Sequence, residues 1–576
     1  MSEKNAVPWV PRRSSWNLSV LLGAVIIGWG SYTMLYKALD AMGPDLSEVD
    51  SLTVVAPNET SVGCPQISPL FPKAHAEVDA TLDWLYRSDT FKLEAYELLG
   101  GAVRVPTESY DDLLPVGYDE RWDIFSELHE YLERSFPRVY DTLHVAKINT
   151  YGLILHWQGS QGHLKPILIT AHQDVVPVDP TTVDQWTHPP YSGHFDGTWI
   201  WGRGCADDKA DLISQLQVLP KIAVEQLLAA GFKPQRTVVF AFGIDEEASG
   251  TEGAGKLAVY LESTYGVDGF AMLVDEGEGY DQNVKDAVTF AFPGVSEKGY
   301  FDAQIEVFTP GGHSSVPPAH TSIGILSLMI VEIEKNAFQP EFLRSGTGFA
   351  NAQCAATYDP KFTPSLRALA RKALTDDQAL EEFKRALIAL NPIVDVMLKT
   401  TQAVDLIQGG VKVNALPEKA STEEVQQHII ELLAPIAAEY NLSVDAFGKT
   451  LDVGDVGGRM VLSDAFGSAL QPSPVSPLDL KGPYGMLSGT IKATLQSSDR
   501  YEASGVVVMP SLGLGNTDTQ FYWNLTRHIF RYSHRGNSDD LYNGLHTVDE
   551  AIRGESIIEQ IRFFTKLILN SDEADF

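Results

Sequence analysis

Three short runs of uninterrupted apolar residues, each followed closely by a histidine or by acids, constrain this chain more than any other feature. Residues 167–171 read ILITA, residues 237–242 TVVFAF and residues 270–274 FAMLV. Stretches with helical patterning lie between them, at 211–230 and 255–264. Runs this short, alternating with helices, predict strands buried on both faces of a largely parallel sheet, and so an α/β layer. Such sheets bind ligands at the carboxyl ends of their strands.

The residues at those ends are the ones that carry chemistry. His172-Gln173-Asp174 follows the first run. A neutral His172 imidazole can hold zinc, and Asp174 can hydrogen-bond the other ring nitrogen and fix its tautomer. Asp245-Glu246-Glu247 follows the second run, where adjacent acids repel one another unless a cation relieves them. One Glu can then ligate metal while its neighbour takes a proton from water. Asp275-Glu276-Gly277 follows the third run. A glycine-rich turn at 201–209, WGRGCADDK, adds Asp207 and Asp208 before a helix. Each cluster alone is also compatible with a helix cap or a solvated acidic turn. Their recurrence in the order His/Asp, Asp, Glu-Glu, Asp favours a metal site. The segment from Gly250 to Lys256 imitates a phosphate-binding loop, but Leu257 stands where a magnesium-holding Ser or Thr is required.

Composition narrows the classes. The 576 residues carry a net charge of −33, which repels nucleic-acid phosphates. Three cysteines, Cys64, Cys205 and Cys354, exclude a four-cysteine zinc site and allow at most one bridge. Residues 16–36 carry no charged side chain and have Trp16, Trp29, Tyr32 and Tyr36 toward the ends. At about 1.5 Å per residue they can span a hydrocarbon core of roughly 30 Å. Arg12 and Arg13 precede this stretch and acids follow it, which places the tail at 1–15 in the cytosol and the bulk of the chain on the lumenal side. A stalk is expected at 37–75, catalytic portions at 76–297 and 466–576, and an inserted α+β lid at 298–465, where residues 300–308 (YFDAQIEVF) alternate as a half-buried strand. Sequons at Asn58, Asn441 and Asn524 become meaningful on the lumenal side.

The segments AHQDVVPV, WGRGCADDK, DEEASGTEGAG, VDEG, GVSEKG, GGHSS, VKVNALP, GNTDT and GLHTVDEAI together resemble the co-catalytic zinc peptidases of the aminoacylase/carboxypeptidase S family, over most of residues 80–576. The anchor and the VSEKG segment point to the carboxypeptidase S branch. The resemblance implies an α/β catalytic domain with a mixed, largely parallel sheet, a lid able to form a homodimer, and two zinc ions per subunit. It implies that His172 and Asp275 bind one zinc, that Glu247 and His546 bind the other, and that Asp207 bridges them. Glu276 is the alternative to Asp275. Asp174 would orient His172 and Glu246 would be the general base. The Asp207–Asp208 bond would be cis. His313, Asn414, the 515–519 loop and Arg531 would meet substrate, Arg531 at its terminal carboxylate. The implied activity is removal of C-terminal residues from short peptides by a vacuolar membrane enzyme. Hydrolysis or synthesis of N-acyl amino acids is the rival. A non-catalytic, metal-retaining protein is the rival from another class.

One departure bears on the lid. After residues 411–420 the family pattern calls for a further lid strand, whereas Ser421-Thr422-Glu423-Glu424 reads as a capped helix start. About a dozen residues are expected to be missing there, and with them a lid edge strand.

Overall fold

A computed structural model describes residues 63–217, 232–283, 288–409, 419–422, 426–451, 457–500 and 505–576. The expected anchor at 16–36, the tail before it, most of the stalk, Asn58 and Asn414 lie outside the described residues. Among the described residues no helix is long and apolar enough to cross a membrane.

The three apolar runs form neighbouring central strands. Ile167–His172 lies between Val238–Gly243 and Met272–Asp275, and both pairings are parallel. All three strands are buried throughout, as their uninterrupted apolar composition requires. Ile529–Arg531 adds in parallel beyond Met272–Asp275. The sheet is mixed, because the hairpin His144–Ile148 and Gly152–Trp157 closes one side with antiparallel pairs. Gly294–Glu297 pairs antiparallel with Ile529–Arg531 and parallel with Ser511–Gly513 on the other side. On one face the sheet packs against Lys209–Gln217 and Gly554–Glu573, with Leu212, Ile213, Ile557, Ile561 and Phe564 in a common core with Phe240, Phe242 and Met272. On the other face Ala254–Tyr265 covers Leu168, Val239 and Leu273 with Leu257 and Leu261.

A second, six-stranded sheet, in the region expected to form the lid, is built on Ala303–Phe308, whose alternate residues Ala303, Ile305 and Val307 are buried. These pack against Ile325, Leu326 and Met329 of Ser322–Lys335 and Ile429 and Leu433 of Gln426–Glu439. Ser421 and Thr422 do not begin a helix. They end the strand Lys419–Thr422, which pairs antiparallel with Ile305 to Phe308, and the helix Gln426–Glu439 follows beyond residues 423–425, which lie outside the described residues. Pairing to the lid sheet outweighs the local capping signal. Lys419–Thr422 lies between Gln408–Gly409 and Ala303–Phe308 in the sheet, and Ala303 and Gln304 extend beyond its register while still pairing with Asp464 and Ser463 on the other side.

A helical excursion from Thr347 to Leu398 leaves the lid and packs toward the catalytic sheet. Cys354 on Thr347–Tyr358 forms a disulfide with Cys64, and both sulfurs lie in a small core with Phe290, Phe292 and Val507. Cys205 is free and buried.

One buried group makes stability depend on pH. His534 stacks on Phe563 with ring centroids 5.1 Å apart, and its Nδ1 pairs with the Tyr532 hydroxyl at 2.9 Å. Its Nε2 is buried without a hydrogen-bond partner among the described residues. Burial, and then Arg562 and Arg500, push its pKa down to about 3. The folded pKa lies below the unfolded value of about 6.5, so the unfolded state binds more protons. The contribution is complete above about pH 6.5 and is lost as pH falls toward about 3, which amounts to about 2 kcal/mol by pH 5. His534→Gln is therefore expected to show a smaller fall in Tm between pH 7 and pH 5 than the parent chain. An equal fall would contradict this assignment.

Candidate metal centre

Sheet order brings the acid clusters together, because the three central strands run parallel and end at the same edge. His172 closes its strand and is buried at 1% exposure. Its Nδ1 lies 3.2 Å from Asp174 Oδ1, and its Nε2 lies 3.2 Å from Asp207 Oδ1 and 3.6 Å from Glu276 Oε1. The second Asp207 oxygen, Oδ2, lies 2.9 Å from His546 Nε2, which is also 3.1 Å from Glu247 Oε1. One carboxylate is thus divided between two histidines, each with a glutamate of its own. Ligand atoms of His172, Asp207 and Glu247 lie within 4.8 Å of one another, as do those of His172, Asp208 and Glu276. The Asp207–Asp208 peptide is cis.

The glutamate beside His172 is Glu276, not Asp275. Asp275 ends its strand and turns Oδ1 to the Thr170 hydroxyl at 2.6 Å on the neighbouring strand. Successive side chains at a strand end point to opposite sides, so only one of the pair can face His172. Arg531, expected at the substrate's terminal carboxylate, has protein partners in this structure. It is buried beside Glu297, at 2.9 Å, and donates to the Thr519 hydroxyl at 3.1 Å. Its charge therefore serves the VSEKG segment, where Glu297 also accepts from Thr517 and Thr519. His313 is exposed on the lid and pairs with Ser315 at 2.8 Å. Among the described residues no hydrogen bond links it to the centre.

Several supports were not legible as such. Asp174 is fully buried and accepts from the Ser109 hydroxyl at 2.6 Å and from the backbone N–H of Glu246 and Glu247 at 3.2 and 3.1 Å. It therefore positions both glutamates as well as His172. Nothing in the sequence marks Ser109. Asp245 accepts from the N–H groups of Glu252 and Gly253 at 2.8 and 2.7 Å. Those two donors of the phosphate-loop look-alike are therefore occupied by a carboxylate.

The electrostatics suit cations. Burial, opposed by His172 and reinforced by Glu247, Asp518 and Asp207, pushes the Glu246 carboxyl well up. Burial and then Asp207 push Glu247 up to about 7, despite His546. Burial alone would lower the pKa of His546, but Asp207 and Glu247 outweigh it and push it up to about 11. Asp208 Oδ1 and Asp275 Oδ2 are buried without a hydrogen-bond partner among the described residues. Crowded buried carboxylates that raise one another's pKa form a centre that favours positive charge among them. The nitrogen and oxygen donors of two histidines and three carboxylates fit zinc.

A paired His/carboxylate centre at the strand ends of an α/β sheet, with a further half-buried glutamate, Glu246, beside it, defines a metal-dependent hydrolase. The chain belongs to peptidase family M20/M25/M40, whose model matches residues 168–570. Carboxypeptidase S of Saccharomyces cerevisiae is 37% identical over 534 residues, covering 88% of this chain and 89% of its own. N-fatty-acyl-amino acid synthase/hydrolase PM20D1 of Xenopus tropicalis is 31% identical over 483 residues, covering 83% and 85%. Human carnosine dipeptidase 1 shares the fold, with a TM-score of 0.52 at 14% identity over 88% of this chain and 100% of that structure.

Proposed function

We propose that this chain is a di-zinc carboxypeptidase that releases the C-terminal amino acid from short peptides. The observation that carries the reading is the Asp207 carboxylate divided between His172 and His546, at 3.2 and 2.9 Å. His172, Asp207 and Glu276 would hold one zinc, and His546, Asp207 and Glu247 the other. The pair would supply a strongly acidified water and polarise the scissile carbonyl.

The remaining steps belong to the chain's own residues. Asp174 accepts from Nδ1–H of His172, which leaves Nε2 as a lone-pair donor toward the centre. Glu246, held by its backbone N–H on Asp174 and placed next to Glu247, is the carboxylate left to act as proton acceptor and donor. It takes the proton of the attacking water and returns it to the leaving amine. His313 and Asn414 are assigned to the substrate, His313 at the carbonyl oxygen, and the lid that carries them would also pair two copies of the chain. The charge pattern around residues 16–36 supports a membrane anchor with the catalytic part lumenal, and the likeness to carboxypeptidase S supports a vacuole-type compartment. The exposed sequon residues Asn441 and Asn524 are then glycosylation candidates.

The 31% identity to an N-fatty-acyl-amino acid synthase/hydrolase favours N-acyl amino acids as a second substrate reading. Competition between an N-blocked glycyl dipeptide and a long-chain N-acyl amino acid separates the two. The proposal expects kcat/KM for the dipeptide to exceed that for the acyl substrate by at least about tenfold, a difference of ~1.4 kcal/mol in transition-state binding. The reverse order would assign the pocket to acyl chains.

A further inference from the structure

We infer that Glu550 is a positioning residue that joins the two halves of the metal centre and sets its affinity for zinc. The inference rests on the two-metal reading above and goes beyond its ligands. Glu550 is 1% exposed and lies four residues after His546. Its Oε1 accepts from the backbone N–H groups of Gly204 at 3.0 Å and Ala206 at 3.1 Å. Its Oε2 accepts from Arg203 Nη1 at 2.6 Å. Its carbonyl oxygen accepts from the N–H of Gly202 at 3.0 Å. The next residues, Ala551–Arg553, pair antiparallel with Trp199–Trp201.

Two ligand loops that are far apart in sequence are thereby fastened at one carboxylate. Ala206 immediately precedes Asp207, so its N–H bond to Glu550 fixes the backbone that enters Asp207, whose two oxygens lie at His172 and His546. On the other loop the same residue fixes the return of the chain from His546. Gly202 and Gly204 hold positive φ of 143° and 81°, which allows the loop to wrap its N–H groups inward on the carboxylate. Gly204, Cys205 and Ala206 are all buried, so donors freed from Glu550 have no water to turn to. Among the described residues no hydrogen bond or ion pair joins Glu550 to a ligand atom; the residue acts through Asp207 and His546. Partners of this kind typically change metal affinity or activity by about 10–100-fold when removed.

The test is zinc affinity of the full-length chain, by competition with a chromophoric chelator, in the parent and in Glu550→Gln. The amide presents an NH2 group to donors and keeps only one acceptor. Zinc is expected to bind about 10–100-fold more weakly, with kcat recovering at saturating zinc and KM for peptide unchanged. Arg203→Met leaves Oε1 and both backbone donors in place, and its affinity is expected to fall between the two; it decides the matter should Glu550→Gln not fold. Parental zinc affinity in a folded Glu550→Gln chain overturns the inference and leaves the proposed function standing. So does parental affinity in Arg203→Met if only that variant folds. A parent chain that binds no zinc overturns both.

Discussion

Glu246→Gln is expected to lower kcat by about 10²–10⁴-fold while zinc content, Tm and KM stay near the parent values. The amide is isosteric and keeps the backbone N–H bond to Asp174, so the geometry of Glu247 is preserved. What it loses is the carboxylate's capacity to take a proton and give it back. His172 and His546 cannot substitute, because both are committed to Asp207. The outcome separates catalysis from a metal site retained for structure, which has no use for a base. A variant that keeps its zinc and its full turnover would show that Glu246 is not the proton carrier.

Asp207→Ala is expected to have the second large effect, and of another kind. Asp207 is the one carboxylate placed between both histidines, so its removal weakens both half-sites together. Zinc stoichiometry is expected to fall from two toward zero at micromolar metal. The loss of several kcal/mol of transition-state charge stabilisation corresponds to about 10²–10⁴-fold or more in kcat/KM. His546→Ala is the informative contrast. That histidine is 36% exposed at the mouth of the site and serves only the half-site with Glu247, so one ion should remain on His172 and Glu276. Equal zinc loss in the two variants would contradict the division of ligands described here. The readout is metal analysis after gel filtration, set beside kcat/KM.

Much of this centre could be read before any fold was known. The apolar runs at 167–171, 237–242 and 270–274 are short, bounded by turn residues and alternate with helices, which favours strands buried on both faces, and their ends collect the ligands by topology. Other features resisted for identifiable reasons. Asp275 and Glu276 are adjacent at a strand end, and composition does not reveal which face looks at His172. Ser421 and Thr422 carry a good helix-start pattern, but four residues of pairing with the lid strand are worth more than a cap. Ser109 reaches Asp174 across 65 positions of chain, with no local pattern to mark it. Arg531 is cationic and near the centre, which suits a carboxylate-binding role, yet its partner Glu297 comes from another strand. The Cys64–Cys354 pair spans 290 positions and joins a segment after the stalk to a helix of the excursion, a pairing that spacing does not encode.

The helical excursion is tied to the segment that joins the two sheets. Lys298, between the catalytic sheet and the lid, donates to the carbonyls of Val396 and Lys399 at 2.7 and 2.8 Å. The neighbouring Glu297 holds Thr517 and Thr519 in the loop expected to meet substrate.

The most direct test of the account is release of the C-terminal amino acid from an N-blocked glycyl dipeptide, with and without a chelator and with zinc returned. The account predicts release that the chelator abolishes and that two zinc equivalents per chain restore. Absence of release from a folded chain carrying two zinc ions, or release unaffected by complete removal of metal, would contradict it.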